Sequence, residues 1–95
     1  MALEKHIQSK ILKYLNSLDG CRAENVSGSM FQKNRPDINC CYKGKCYRLE
    51  VKSADNNNKA TKSQLLNLKK WRESGAICEV VYSLEETIKL LEDNS

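Results

Sequence analysis

Apolar residues recur at helical spacing in the first part of the chain. In ALEKHIQSKILKYLNSLDG, Ile7, Ile11, Leu15 and Leu18 fall three or four positions apart, Leu12 lies beside them, and Gly20 follows as a stop. The pattern then changes period. CRAENV, Cys21 to Val26, reads as a first strand, and SGSMFQKNR reads as a loop that ends at Pro36. Two β-prone runs, DINCCYK and KCYRLEVKS, flank Gly44 and predict a hairpin. After the polar loop ADNNNKA, the stretch TKSQLLNLKKWRES predicts a second helix with Leu65, Leu68 and Trp71 on one side, ended by Gly75. AICEVVYS is apolar enough for a buried strand. SLEETIKLLEDN predicts a last helix, with Ser83 and Glu86 at capping-box spacing. The order is α-β-β-β-α-β-α. A helix between the third and fourth strands implies a crossover, so the expected fold is α/β, a mixed four-stranded sheet flanked by helices.

Strand alternation sorts the hairpin residues into two faces. Cys46, Arg48, Glu50 and Lys52 share one face of their strand, while Leu49 and Val51 point the other way. Asp37, Asn39 and Cys41 share a face of the partner strand. A hairpin brings the start of one arm beside the end of the other, so Asp37 is expected near Glu50 and Lys52. The register that would decide this is not set by the sequence.

Composition narrows the picture modestly. Residues 1–95 are the size of one small domain. Sixteen Lys and Arg against twelve Asp and Glu leave a charge of +4, which fits a polyanionic partner without requiring one. The five cysteines, Cys21, Cys40, Cys41, Cys46 and Cys78, lack CxxC or Cys-His spacing. They read as reduced, mostly buried strand residues of a cytoplasmic protein. No stretch has the length and apolarity of a membrane span, and the N-terminus has no signal-peptide core.

The Glu-x-Lys pattern of Glu50 and Lys52 is weak alone, since a shuffled chain of this composition holds about 1.5 acid-x-Lys matches. Context gives it weight. It closes a predicted strand, and Pro36-Asp37 lies upstream at the start of the hairpin. Phosphodiester hydrolysis needs an activated water and stabilisation of charge on the phosphoryl oxygens. A hard cation such as Mg²⁺ takes oxygen ligands, and Asp37 and Glu50 supply two carboxylates. An ordinary lysine is an ammonium at neutral pH. Lys52 therefore reads as a positive group that orients water and stabilises the phosphoryl transition state, with a role as base left open.

RPDI, LEVKS and TKSQLLNLKKWRESGAICEVVYSLEETIKLL together resemble the PD-(D/E)xK nuclease superfamily, and within it the virus-type replication-repair nucleases, VRR-NUC. The resemblance runs from Leu3 to Leu91. Asn34-Arg35 departs from it, because many members have a small Gly near the Pro-Asp step. The resemblance implies a restriction-endonuclease-like fold and a Mg²⁺-dependent endodeoxyribonuclease, with Mn²⁺ able to substitute. It implies metal ligands Asp37, Glu50, the Val51 carbonyl and Glu4, with Lys52 and Gln64 as further catalytic residues. It also implies a homodimer acting on branched or four-way-junction DNA in repair or phage replication, in a bacterial or phage-infected cytoplasm, without a membrane or a small-molecule cofactor.

Alternatives stand beside these assignments. Glu4 lies on the first turn of the apolar stripe, where it either faces the site or favours the helix dipole. Gln64 has capping-box spacing from Thr61, and capping and site roles are expected to exclude one another in one rotamer. Lys33, Arg35, Lys59 and Lys62 are candidate phosphate contacts, with Lys69 and Arg72 behind them; singly each reads as a solvated charge. Met30 and Phe31 read as core before base wedges, Trp71 as core or interface, His6 as solvated, and Arg48 as a surface charge without a role. A non-catalytic nucleic-acid-binding module and a small protein-interaction domain are the competing functions. Metal-dependent cleavage separates the first from the enzyme, and nucleic-acid affinity separates the second.

Overall fold

The structure, a computed structural model, describes residues 2–26, 37–53 and 59–94. The elements follow the expected order: α1 (Ala2–Ser17), β1 (Cys21–Asn25), β2 (Ile38–Tyr42), β3 (Lys45–Val51), α2 (Lys62–Glu73), β4 (Ile77–Val81) and α3 (Leu84–Asp93). The strands lie in the order β1-β2-β3-β4. The first two pairings are antiparallel, and β3 and β4 run parallel across the α2 connection, so the sheet is mixed as expected.

The β2–β3 turn is two residues long, Lys43 and Gly44, with φ of 52° and 79°. A two-residue hairpin turn with positive φ at both positions matches strand twist, and glycine adopts it without strain. That turn sets the register: Tyr42 pairs with Lys45, Cys41 with Cys46, and Ile38 with Leu49.

One face of the sheet holds the main core. Ile38, Cys40, Tyr47, Leu49, Val51 and Val81 pack with Ile11 and Leu15 of α1 and Leu91 of α3. The α1 stripe thus buries as its periodicity predicts. α1 also serves the open edge of the sheet. The Asn16 amide accepts from the Ala23 amide (2.9 Å) and donates to the Ala23 carbonyl (3.1 Å), as a neighbouring strand would.

α2 covers the other face, and there the expected side is corrected. Leu65 is 49% exposed, as is Leu66 at 53%, and the inward residues are Gln64, Leu68 and Trp71. Positions 64, 68 and 71 follow the i, i+4, i+7 row, whereas Leu65 lies a quarter turn away. At α3, Ser83 Oγ caps the Glu86 amide, but the Glu86 carboxylate reaches the Tyr82 amide and does not close the box on Ser83.

The cysteine expectation is also corrected. Cys41 and Cys46 form a disulfide, because the register sets them opposite one another with Cα atoms 4.0 Å apart. Both lie away from the main core, so the argument from reduced cysteines to a cytoplasmic location loses its premise. Cys21, Cys40 and Cys78 are free thiols. Cys21 and Cys40 meet at 3.5 Å, and burial, then the Cys21 contact, push the Cys40 thiol up to about 12. It is an inert core thiol. No described helix is long and apolar enough to cross a membrane.

Candidate active site

Asp37 stands just before β2, and Glu50 near the end of β3. Since Ile38 pairs with Leu49, the next step along the ladder sets Asp37 opposite Glu50. Asp37 is held from both sides. Its carbonyl accepts from the Val26 amide at 2.9 Å, and its Oδ2 accepts from the Val51 amide at 2.9 Å. The convergence that the hairpin predicted is therefore built by one backbone hydrogen bond and one from the Val51 amide to the Asp37 carboxylate, with the Val51 side chain packed into the core.

Lys52 lies one residue past β3. Its amide donates to the Val81 carbonyl at 3.0 Å, which continues the parallel ladder and fixes where its side chain starts. Its Nζ comes within 3.8 Å of Glu50 Oε2, with the two side chains 12% and 3% exposed. A pair this buried is not an ordinary surface ion pair.

Gln64 resolves differently from either expected alternative. Its Oε1 accepts from the Thr61 amide (2.9 Å), and Thr61 Oγ1 accepts from the Gln64 amide (3.1 Å), which completes the capping box. Its Nε2 simultaneously donates to Glu50 Oε2 at 3.2 Å. The expected exclusion fails because the amide has two chemically distinct ends, one for the cap and one for the carboxylate.

Glu50 is the electrostatic centre. Burial first, then the negative charge of the adjoining Asp37, push its carboxyl up to about 8; Lys52 pulls it down and Glu4 pushes it up. Glu4 on the first turn of α1 thus acts on Glu50 through its charge, though among the described residues no group of three or more His, Cys, Asp or Glu side chains is placed to share an ion. Glu50 Oε1 is buried without a hydrogen-bond partner. Two adjoining carboxylates, one with an unpartnered buried oxygen, are a donor set that a hard divalent cation fits.

Lys59 and Lys62 are exposed beside the start of α2. Arg72 is exposed but donates to the Cys78 carbonyl at 2.8 Å, where it ties α2 to β4. His6 is exposed. Lys33, Arg35, Pro36, Met30 and Phe31 lie outside the described residues. The reading of Arg48 as a surface charge is corrected: it is partly buried, its guanidinium lies 4.4 Å from the centre of the Trp71 ring, and Nη1 donates to the Tyr47 carbonyl at 3.0 Å. Sequence reasoning placed it on the site's face but had no view of what covers it; the hint was Trp71 on the crossover helix.

No protein-family model matches the chain, and no curated protein does. Among solved structures, one described as "VRR_NUC domain" is similar with a TM-score of 0.76 and 26% identity over 95% of each chain. Another, described as "VRR_NUC domain protein", is similar in fold, with a TM-score of 0.73, 17% identity, and 94% of this chain and 84% of that chain covered.

Proposed function

We propose, from the premise that this chain is a VRR-NUC domain of the PD-(D/E)xK superfamily, that it is a Mg²⁺-dependent endonuclease acting on branched DNA as a homodimer. The observation that carries the reading is Asp37 opposite Glu50, with Glu50 buried, touched on Oε2 by Lys52 and Gln64, and unpartnered on Oε1. Asp37 and Glu50 would hold the cation, with the Val51 carbonyl and Glu4 as further expected donors. The ion supplies Lewis acidity toward the phosphate and a lowered pKa for attacking water.

The protein's own groups do the rest. The Val51 amide holds one oxygen of Asp37 and thereby aims the carboxylate. Gln64 holds Glu50 Oε2, which leaves Oε1 as its free donor atom. Lys52 carries positive charge beside the carboxylates, where it orients water and meets charge developing on the phosphoryl oxygens. A two-fold dimer presents two such sites to a branched substrate.

The test is cleavage of four-way junctions, flaps, duplex and single strands with Mg²⁺ or Mn²⁺. We expect cleavage that stops with chelator and falls at least about a hundredfold in Lys52→Ala and Glu50→Ala. Wild-type protein inert on every substrate with both ions refutes the enzyme. Sedimentation of the free protein tests the dimer.

A further inference from the structure

α2 packs on β3 and β4 and touches neither β1 nor β2. α1 and α3 pack on the opposite, core-facing side. Half of the site's own sheet face is therefore left without a described helix above it. Alternation and register say what this shelf carries: Arg22 beside Cys41, and Asn39 between Glu24 and Arg48. A cavity of about 220 Å³ lies over it, lined by these residues.

Arg48 is the unusual member. A partly buried guanidinium is costly unless a counter-charge or a full set of acceptors meets it. Here no carboxylate lies within ion-pair distance among the described residues, and Nε is buried without a partner, as is Asn39 Oδ1. Its position is fixed by stacking on Trp71 and by the Tyr47 carbonyl. An arginine that is pre-positioned and not neutralised is suited to an oxyanion such as a phosphate, whose oxygens its planar N–H fork can meet. It is also two residues from Glu50 on one strand face, a step of about 6.8 Å along the strand.

We infer that this shelf is the substrate-strand subsite: Arg48, braced by Trp71, takes a backbone phosphate one or two nucleotides from the scissile bond, with Arg22 taking the next contact outward. The inference rests on the nuclease reading. Glu24, exposed at the far strand, repels phosphate and so bounds the track on that side. Arg48 and Arg22 are substrate-binding residues in this reading, away from the scissile bond and from the carboxylates of the site.

The test is fluorescence anisotropy of the full chain with a labelled branched oligonucleotide in chelator, over a salt series. Arg48→Met keeps the apolar stem on Trp71, and Arg22→Ala changes an exposed residue that cannot unfold the chain. Lys13→Ala, exposed on α1, is the control. Each arginine variant is expected to weaken binding about tenfold and to lower the slope of log affinity against log salt by about one, while the control changes neither. In cleavage, KM rises and kcat holds. Wild-type affinity and slope in both arginine variants overturn the subsite, as does an equal loss in Lys13→Ala. Wild-type protein that binds but never cleaves removes the nuclease reading and leaves the subsite to be judged by the same variants; cleavage unaffected by either arginine variant removes the subsite and leaves the nuclease.

Discussion

Replacing Glu50 by Gln isolates the electrostatic cost at the centre of the site. Glu50 is 2% exposed, and burial followed by Asp37 raises its pKa to about 8. In the unfolded chain the group titrates near the ordinary value of about 4.3. Between these values the folded protein holds a proton that the unfolded chain has released. The stability this contributes is complete below the unfolded pKa and is lost as pH rises through about 8. At about 1.4 kcal/mol per pH unit, going from about pH 4.5 to about pH 7.5 removes about 4 kcal/mol through this one group. Glutamine is nearly isosteric and does not titrate, and its amide oxygen can still accept from Gln64. We expect Glu50→Gln to match wild type near pH 4.5 and to exceed it by about 3 to 4 kcal/mol near pH 7.5 in chelator. Urea unfolding followed by Trp71 fluorescence, at a series of pH values, measures the difference. Two pH profiles that stay parallel across that range would refute the assignment of a buried, proton-holding Glu50.

Two further experiments separate roles that share an atom or a strand. Thr61→Ala removes one arm of the cap and should cost about 1 kcal/mol, whereas Gln64→Ala removes the cap's other arm and the Glu50 contact, so it should lose comparable stability and also lower cleavage; equal cleavage in both variants argues against a site role for Gln64. Cys41→Ser with Cys46→Ser, or reduction, should lower stability by about 2 kcal/mol for so short a loop, measured by urea midpoint under matched conditions; no change on reduction means the bridge does not form in solution.

The element order was legible because each segment keeps one hydrophobic period and ends on a glycine or a polar loop. The facing of Asp37 and Glu50 was legible as far as alternation carries it, since parity alone assigns residues to faces. What parity cannot do is choose the register, and that choice came from the turn. Reading Lys43-Gly44 as a two-residue turn would have paired position 41 with 46 and placed the disulfide, but Gly44 alone did not specify the turn length. Leu65 was misassigned because an apolar residue at a flank of the stripe looks the same in sequence as one at its centre. Arg48 was undervalued for a different reason: its partner Trp71 lies across a crossover, and such contacts leave no local pattern.

The double use of Gln64 ties two tolerances together. A helix that began one residue earlier or later would still be a helix, and elsewhere in the fold such a slip would go unnoticed. Here it would withdraw Nε2 from Glu50 in the same movement that opened the cap. A substitution that shifts the start of the helix at Thr61 is therefore expected to disturb the Glu50 contact and the cap together. The three-residue span from Thr61 to Gln64 thus sets a cap and a carboxylate contact at once.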